Sequence, residues 1–292
     1  MSIILLGGTG FVGRNVSQVL EFDGIEHTKV SRASGVDLRD FQQVLDFFSE
    51  IKPSVIVNCA AHVGSLNYVT QQAADVIVDN TQMTLALYQA VAKSKLKPLI
   101  INPIANCAYP ANLEIYSEEK FWDGSVHRSV LSYGSARRHM LATSECFRMQ
   151  YGIRTVSLLV PNMYGPYDST DPNKAHAMNA LIAKFTKAKK ENVPEISIWG
   201  TGVAIREWLL AKDFARIVVQ IIRKPELLGL DEELNIAQNF GLSVREIVSI
   251  ISQRVRYTGR ISYDHSKSDG APKKVMNETR FRKVFPHFLC FD

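Results

Sequence analysis

Seven residues near the start of the chain, Gly7-Gly8-Thr9-Gly10-Phe11-Val12-Gly13, constrain its fold more than any other stretch. Before them runs Ser2 to Leu6, largely apolar, too short for a helix and suited to a strand buried on both faces. After them Val12, Val16, Val19 and Leu20 recur at helical spacing from Phe11 to Phe22. A strand, a turn without bulky side chains and a helix together let a pyrophosphate approach backbone N–H groups at the helix N-terminus. Gly7, Thr9, Gly10, Phe11, Val12 and Gly13 are therefore the expected cofactor contacts of a dinucleotide-binding turn.

The second strand, near Glu26 to Val30, ends at Ser31-Arg32, where an acidic residue would ordinarily hold the adenosine ribose 2′-OH of NAD. A hydroxyl and a guanidinium stand there instead, and either can meet a 2′-phosphate. Arg32 thus favours NADP(H), with NAD(H) left open. Val36-Asp37-Leu38 is expected to open a helix through Phe48, Asp37 either touching the adenine or capping the helix and Leu38 beside it. The third strand, Ser54 to Asn58, leads into Cys59-Ala60-Ala61-His62-Val63-Gly64. Small Ala60 and Ala61 let a cofactor lie close to backbone, and His62 is a candidate substrate contact or a loop histidine without a role.

Gln71 to Lys95 reads as one long helix, Pro98 to Asn102 as a fourth strand and Thr155 to Val160 as another, ending at Pro161-Asn162-Met163. The alternation predicts an α/β protein: a Rossmann-type doubly wound parallel sheet with ligands at the C-terminal ends of its strands. Beyond residue 165 the alternation loosens. A loop from Asp168 to Asn173 precedes His176, and a helix runs on to Lys190. Short strands near Ile196 to Gly200, Leu234 to Ala237 and Ile261 to Asp264 are separated by helices at Asp213 to Arg223 and Ser243 to Arg256. The expected division is residues 1–165 for the dinucleotide, with later segments adding to the sheet, and 166–292 mostly for a smaller α+β substrate domain.

Leu131 to Gly152 is a helix by its apolar stripe of Ala136, Met140, Leu141, Cys146 and Phe147, with Ser132 as cap and Gly152 as stop. Tyr133 and Arg137 stand one turn apart on one face. A fixed cation beside a phenol stabilises the phenolate, which suits proton donation to a carbonyl. The same pair also reads as a surface contact.

With 292 residues and a net charge of +5, the chain has no basic patch interleaved with aromatics, so nucleic acid is not an expected partner. The run from Lys184 to Lys190 reads as a solvated helix face. Cys59, Cys107, Cys146 and Cys290 show neither Cys-x-x-Cys spacing nor a histidine cluster, which predicts no metal site and a reducing, cytoplasmic setting. No stretch approaches a membrane span.

Taken together, these residues resemble the extended short-chain dehydrogenase/reductases, and among them the GDP-L-fucose synthase family. The resemblance runs through the glycine turn, Ala60 to Gly64, Asn106-Cys107-Ala108-Tyr109-Pro110, Asn162 to Asp168, His176, Ile198 to Gly202, Arg206-Glu207 and Lys267 to Lys274. It implies a homodimeric nucleotide-sugar epimerase/reductase acting on a GDP-linked 4-keto deoxyhexose or heptose in surface polysaccharide biosynthesis. Tyr133 takes the place of the family's proton donor, Cys107 and His176 of its epimerisation base and acid, and Asn162, Arg206 and Lys274 of substrate contacts. Two positions depart: the catalytic serine aligns with Ala105, with Asn106 beside it as a substitute donor, and the catalytic lysine with Arg137. Alternatives are a nucleotide-sugar 4-dehydrogenase, an epimerase without reduction, and a non-catalytic NAD(P)-binding subunit. A literal Tyr-x-x-x-Lys at Tyr116 to Lys120 lies ahead of the expected helix and reads as a decoy.

Overall fold

In the computed structural model, residues 1–171, 174–229, 233–267 and 269–290 are described. The chain opens with β1 (Ile3–Leu6), α1 (Phe11–Phe22), β2 (Thr28–Val30), α2 (Phe41–Ile51) and β3 (Val55–Asn58). There follow α3 (Leu66–Gln71), α4 (Ala73–Lys93), β4 (Leu99–Ala105), α5 (Leu131–Tyr151) and β5 (Thr155–Val160). These strands pair in parallel with a later one, β10 (Glu233–Asn235), in the order β10-β5-β4-β3-β1-β2. The order reverses beside β1, so β1 and β3 diverge into a crevice at their C-terminal ends.

Burial on both faces explains the unbroken apolar runs. Ile3 and Leu5 face a core with Val16 and Leu20 of α1 and Phe214 and Val218 of α7 (Ala211–Arg223). Ile4 and Leu6 face the opposite core, with Phe48 of α2 and Leu87, Tyr88 and Val91 of α4. A side-chain period of two on β1 thus divides its residues between two helical layers.

Between β5 and β10 come β6 (Asn162–Tyr164), α6 (Ala177–Lys190), β7 (Glu195–Trp199), β8 (Ile205–Arg206), β9 (Trp208–Leu210) and α7. After β10 come β11 (Leu242–Ser243), α8 (Val244–Val255), β12 (Arg260–Asp264), β13 (Lys273–Lys274) and α9 (Thr279–Val284). Phe185 and Met178 of α6, Ile196 and Ile198 of β7 and Ile247, Val248 and Ile251 of α8 form a separate apolar cluster. The last two residues of the expected Asp168 to Asn173 loop, and Ser268, lie outside the described residues.

Three local expectations are corrected. The helix expected over Gln71 to Lys95 is α4 and starts later, at Ala73, because Gln72, with φ −104° and ψ 33°, leaves the helical region and separates it from the short α3 ahead of it. Ser132 does not cap α5: its hydroxyl donates to the Val69 carbonyl at 2.8 Å, and a 3-10 turn, Arg128–Val130, leads into the helix instead. The cap of α2 is Asp40, which accepts from the N–H groups of Gln42 and Gln43, rather than Asp37. Gly152 does end α5, in the left-handed region at φ 63°.

Candidate active site

The glycine turn is built by close backbone approach. A Cβ on Gly13 would lie 2.2 Å from the Gly7 carbonyl oxygen, and one on Gly7 2.7 Å from the Ala60 backbone, so the turn and the segment after β3 meet backbone to backbone. At Gly10 the nearest atom to such a carbon is 3.3 Å away, and Thr9 and Gly10 are exposed, so this side of the turn is open. Helix α1 starts at Phe11 with no side-chain cap and no acidic residue in its first turn. Its first N–H groups have no intrahelical acceptors, and an anion is the partner they suit. The turn fits a dinucleotide pyrophosphate.

At the adenosine end, Arg32 is exposed, while Leu38 is buried in the core behind β2. Arg39 grips Asp37 through Nε and Nη2, the shorter contact 2.6 Å, and holds its carboxyl down to about 2 despite the opposing effect of burial. Ala60 and Ala61 border the turn. Pro161 is buried, Met163 packs on the core beneath, and Asn162 donates through both N–H and Nδ2 to the Glu207 carbonyl.

A candidate reaction centre forms where β4 ends. Ala105-Asn106-Cys107 turns there into a 3-10 turn, Asn106–Ala108, and α5 lies directly on it: a Cβ on Gly134 would sit 2.8 Å from the Cys107 carbonyl. Tyr133, half-buried, is thereby close enough to Cys107 for a thiolate there to raise its pKa. Burial pushes both groups up, and Arg137 draws both back down; Lys274 does so for Cys107. Arg137 is no surface residue. It is 1% exposed, its Cζ stands 4.7 Å from the Tyr133 ring centre, and its Nη2 donates to Asn80 Oδ1 at 2.6 Å. Among the described residues, Arg137 Nε and Asn106 Nδ2 have no hydrogen-bond partner.

Lys274 of β13 pairs in parallel register with Arg206 of β8, so two cations stand side by side. Burial lowers the pKa of each, and Arg206 lowers that of Lys274 further. Arg206 Nη2 is steadied by the Asp269 carbonyl at 2.8 Å. His176, before α6, bonds Asp168 Oδ1 through Nδ1 at 3.0 Å and packs its ring 5.2 Å from Phe11. Burial alone would raise the Asp168 pKa, yet hydrogen bonds from His176 and Asn179 hold it below the ordinary value. No hydrogen bond or ring contact among the described residues joins His176 to Cys107. His62 turns both ring nitrogens to protein partners, Asp79 and Tyr68. Tyr116 stacks on Tyr109, their centres 4.7 Å apart, inside the core, and Lys120 ends a 3-10 turn, so this Tyr-x-x-x-Lys makes no helical pair.

Sequence reasoning passed over Gly134, Asn80 and Asp168. A glycine one residue after the tyrosine of a helix is a signal of close approach, whereas the other two roles arise between segments distant in sequence.

Residues 3–237 match the NAD dependent epimerase/dehydratase family. The chain is 26% identical over 289 residues to the GDP-L-fucose synthase of Escherichia coli (strain K12), covering 97% of this chain and 90% of that protein. It is 29% identical over 278 residues to the GDP-L-fucose synthase of Azorhizobium caulinodans, covering 95% and 88%. In fold it is similar to a GDP-6-OMe-4-keto-L-xylo-heptose reductase from C. jejuni, with a TM-score of 0.89 at 22% identity over 100% of this chain and 93% of that one. A GDP-L-fucose synthetase from Naegleria fowleri bound to NADP gives a TM-score of 0.84 at 22% identity over 100% and 89%.

Proposed function

The chain belongs to the NAD dependent epimerase/dehydratase family, and on that premise we propose that it is an epimerase/reductase of a GDP-linked 4-keto sugar, a deoxyhexose or heptose, working with NADP(H) in surface polysaccharide synthesis. The names of its relatives support the GDP-linked substrate, and Arg32, exposed after β2, supports the 2′-phosphate. The observation that carries the reading is the seat of Gly134 on the Cys107 carbonyl, which sets a phenol, a thiol and two cations around one strand end. In this reading residues 1–165 serve the cofactor and most of 166–292 the sugar nucleotide.

A 4-ketone acidifies the protons at C3 and C5. Cys107, once ionised under the fields of Lys274 and Arg137, removes one of them, and His176, oriented by Asp168, returns a proton from the other face. NADPH, when bound, supplies the hydride that reduces the ketone. Tyr133 gives its proton to O4, and Arg137 stabilises the phenolate left behind. Asn106 Nδ2 takes over the donor role of the serine that Ala105 replaces. Arg206 and Lys274 hold the diphosphate.

Ala105 and the buried Arg137 favour one second reading, an epimerase without reduction. Incubation with GDP-4-keto-6-deoxymannose and NADPH in heavy water separates them: deuterium at C3 or C5 together with NADPH oxidation supports the first, and deuterium alone the second. Cofactor uptake with neither would leave a non-catalytic subunit. No described helix is long and apolar enough to cross a membrane. A cytoplasmic homodimer paired through α4 and α5 completes the proposal, supported by the exposed apolar Val78 and Leu131 on those helices. Sedimentation equilibrium tests the pairing.

A further inference from the structure

Helix α5 presents its residues toward the end of β4 in two pairs. Tyr133 and Arg137, one turn apart, make the first, and Gly134 and Arg138, also one turn apart, make the second on the adjoining face. Gly134 seats the helix on the Cys107 carbonyl, where a Cβ would fall 2.8 Å from the oxygen. Arg138 takes the next carbonyl along the chain: its Nε donates to Ala108 at 2.6 Å. One face of α5 therefore meets the last two carbonyls of the turn that carries Cys107, Asn106–Ala108.

The turn needs such a hold. Its own closing bond, from the Tyr109 N–H to the Asn106 carbonyl, is 3.1 Å long, and a three-residue 3-10 turn is a weak frame by itself. Arg138 also reaches further. Its Nη1 donates to the Gly124 carbonyl at 2.6 Å and its Nη2 to the Phe121 carbonyl at 3.1 Å, while Cζ stands 5.6 Å from the centre of the Phe121 ring and 5.7 Å from that of Trp122. A single side chain thus ties the Cys107 turn and the stretch from Phe121 to Gly124 to the helix that carries Tyr133. Burial lowers the Arg138 pKa, with no carboxylate among the described residues to oppose it. Its contacts with the chain are directional bonds to main-chain carbonyls, and a planar fork of N–H groups meets three of them at once where an ammonium could not.

We propose that Arg138 is a positioning residue, fixing the Asn106–Ala108 turn on α5 so that Cys107 is held against the proton it removes. The inference rests on the epimerase reading above. Arg138 itself touches neither Cys107 Sγ nor Tyr133 in this arrangement; it acts through the Ala108 carbonyl.

Deuterium uptake from heavy water at C3 or C5 of GDP-4-keto-6-deoxymannose, measured on the NADP⁺-loaded protein, tests this with Arg138→Ala and Arg138→Lys. The kcat for exchange should fall by about a hundredfold in the first and about tenfold in the second, with KM and cofactor affinity within about twofold of the parent. Added ethylguanidinium should restore exchange by Arg138→Ala about tenfold. A second measurement needs no substrate. Burial pushes the Cys107 thiol up, so a loosened turn should let iodoacetamide alkylate it about tenfold faster in Arg138→Ala. Cys59, which follows β3 and is pushed up to about 12 by burial, should keep the parent rate. Exchange unchanged in both variants, no rescue by ethylguanidinium, or Cys59 and Cys107 released together would overturn the proposal, the last because it would show a general loosening. A parent that takes up no deuterium would overturn the epimerase reading instead, and the two alkylation rates would still decide whether Arg138 holds the turn.

Discussion

The two ends of the cleft are made by different means. The pyrophosphate end is backbone: Gly7, Gly10 and Gly13 lie within seven consecutive residues, and what matters is the absence of side chains. The reaction centre is side chains brought from β4, α4, α5 and β13, among them a cation, Arg137, buried at 1% exposure. Backbone sites tolerate almost no change in shape, while side-chain sites can exchange one donor for another and keep part of their chemistry. In the proposed reading this chain makes such an exchange, with Ala105 and Arg137 at the positions that its resemblance to the GDP-L-fucose synthases assigns to serine and lysine.

The sharpest break between the ends should come from Gly13→Val. With a Cβ forced to 2.2 Å from the Gly7 oxygen, the turn must open, costing about 3 kcal/mol and abolishing NADPH binding by fluorescence titration. Retained binding would mean that the turn does not hold the pyrophosphate. Next in size, Tyr133→Phe should lower NADPH oxidation by about a thousandfold while deuterium exchange continues within a few-fold; loss of both in parallel would overturn the assignment of separate roles to Tyr133 and Cys107. Cys107→Ser should do the converse, cutting exchange by about a hundredfold. Arg137→Lys should retain or raise reduction, by up to about tenfold, yet lower stability by about 1 kcal/mol through loss of the Asn80 contact, read from urea midpoints.

A smaller effect concerns the frame between the ends. Glu207 is fully buried, accepts from the N–H groups of Gln238 and Met276, and is pushed up to about 7 by burial. A carboxyl raised on folding contributes stability that is complete below its unfolded value near 4.5 and fades as pH rises through about 7. The parent should therefore lose on the order of 3 kcal/mol between pH 4.5 and 7.5 relative to Glu207→Gln, in urea unfolding followed at several pH values. Parallel pH profiles for the two proteins would show that Glu207 pays no such ionisation cost.

Much of the sheet was legible because strands buried on both faces must be apolar throughout, as in Ile3 to Leu6 and Thr155 to Val160. Ends read less well where a side chain had two possible partners. Ser132 looked like a cap, but α3 approaches closely enough for its hydroxyl to reach the Val69 carbonyl. Asp37 lost the capping role because Arg39, two residues on, claims its carboxylate with help from Asp79 across the crevice.

The sequence by itself determined the glycine turn, the parallel sheet and the identity of Tyr133 as a residue beside a cation, since each depends on near neighbours and a short period. Only the tertiary structure decided what that cation is doing. Arg137 and Asn80 are 57 residues apart, and nothing local distinguishes a guanidinium in solvent from one buried against an amide and a phenol ring. Packing α4 against α5 removed Arg137 from water and left a permanent charge beside Tyr133.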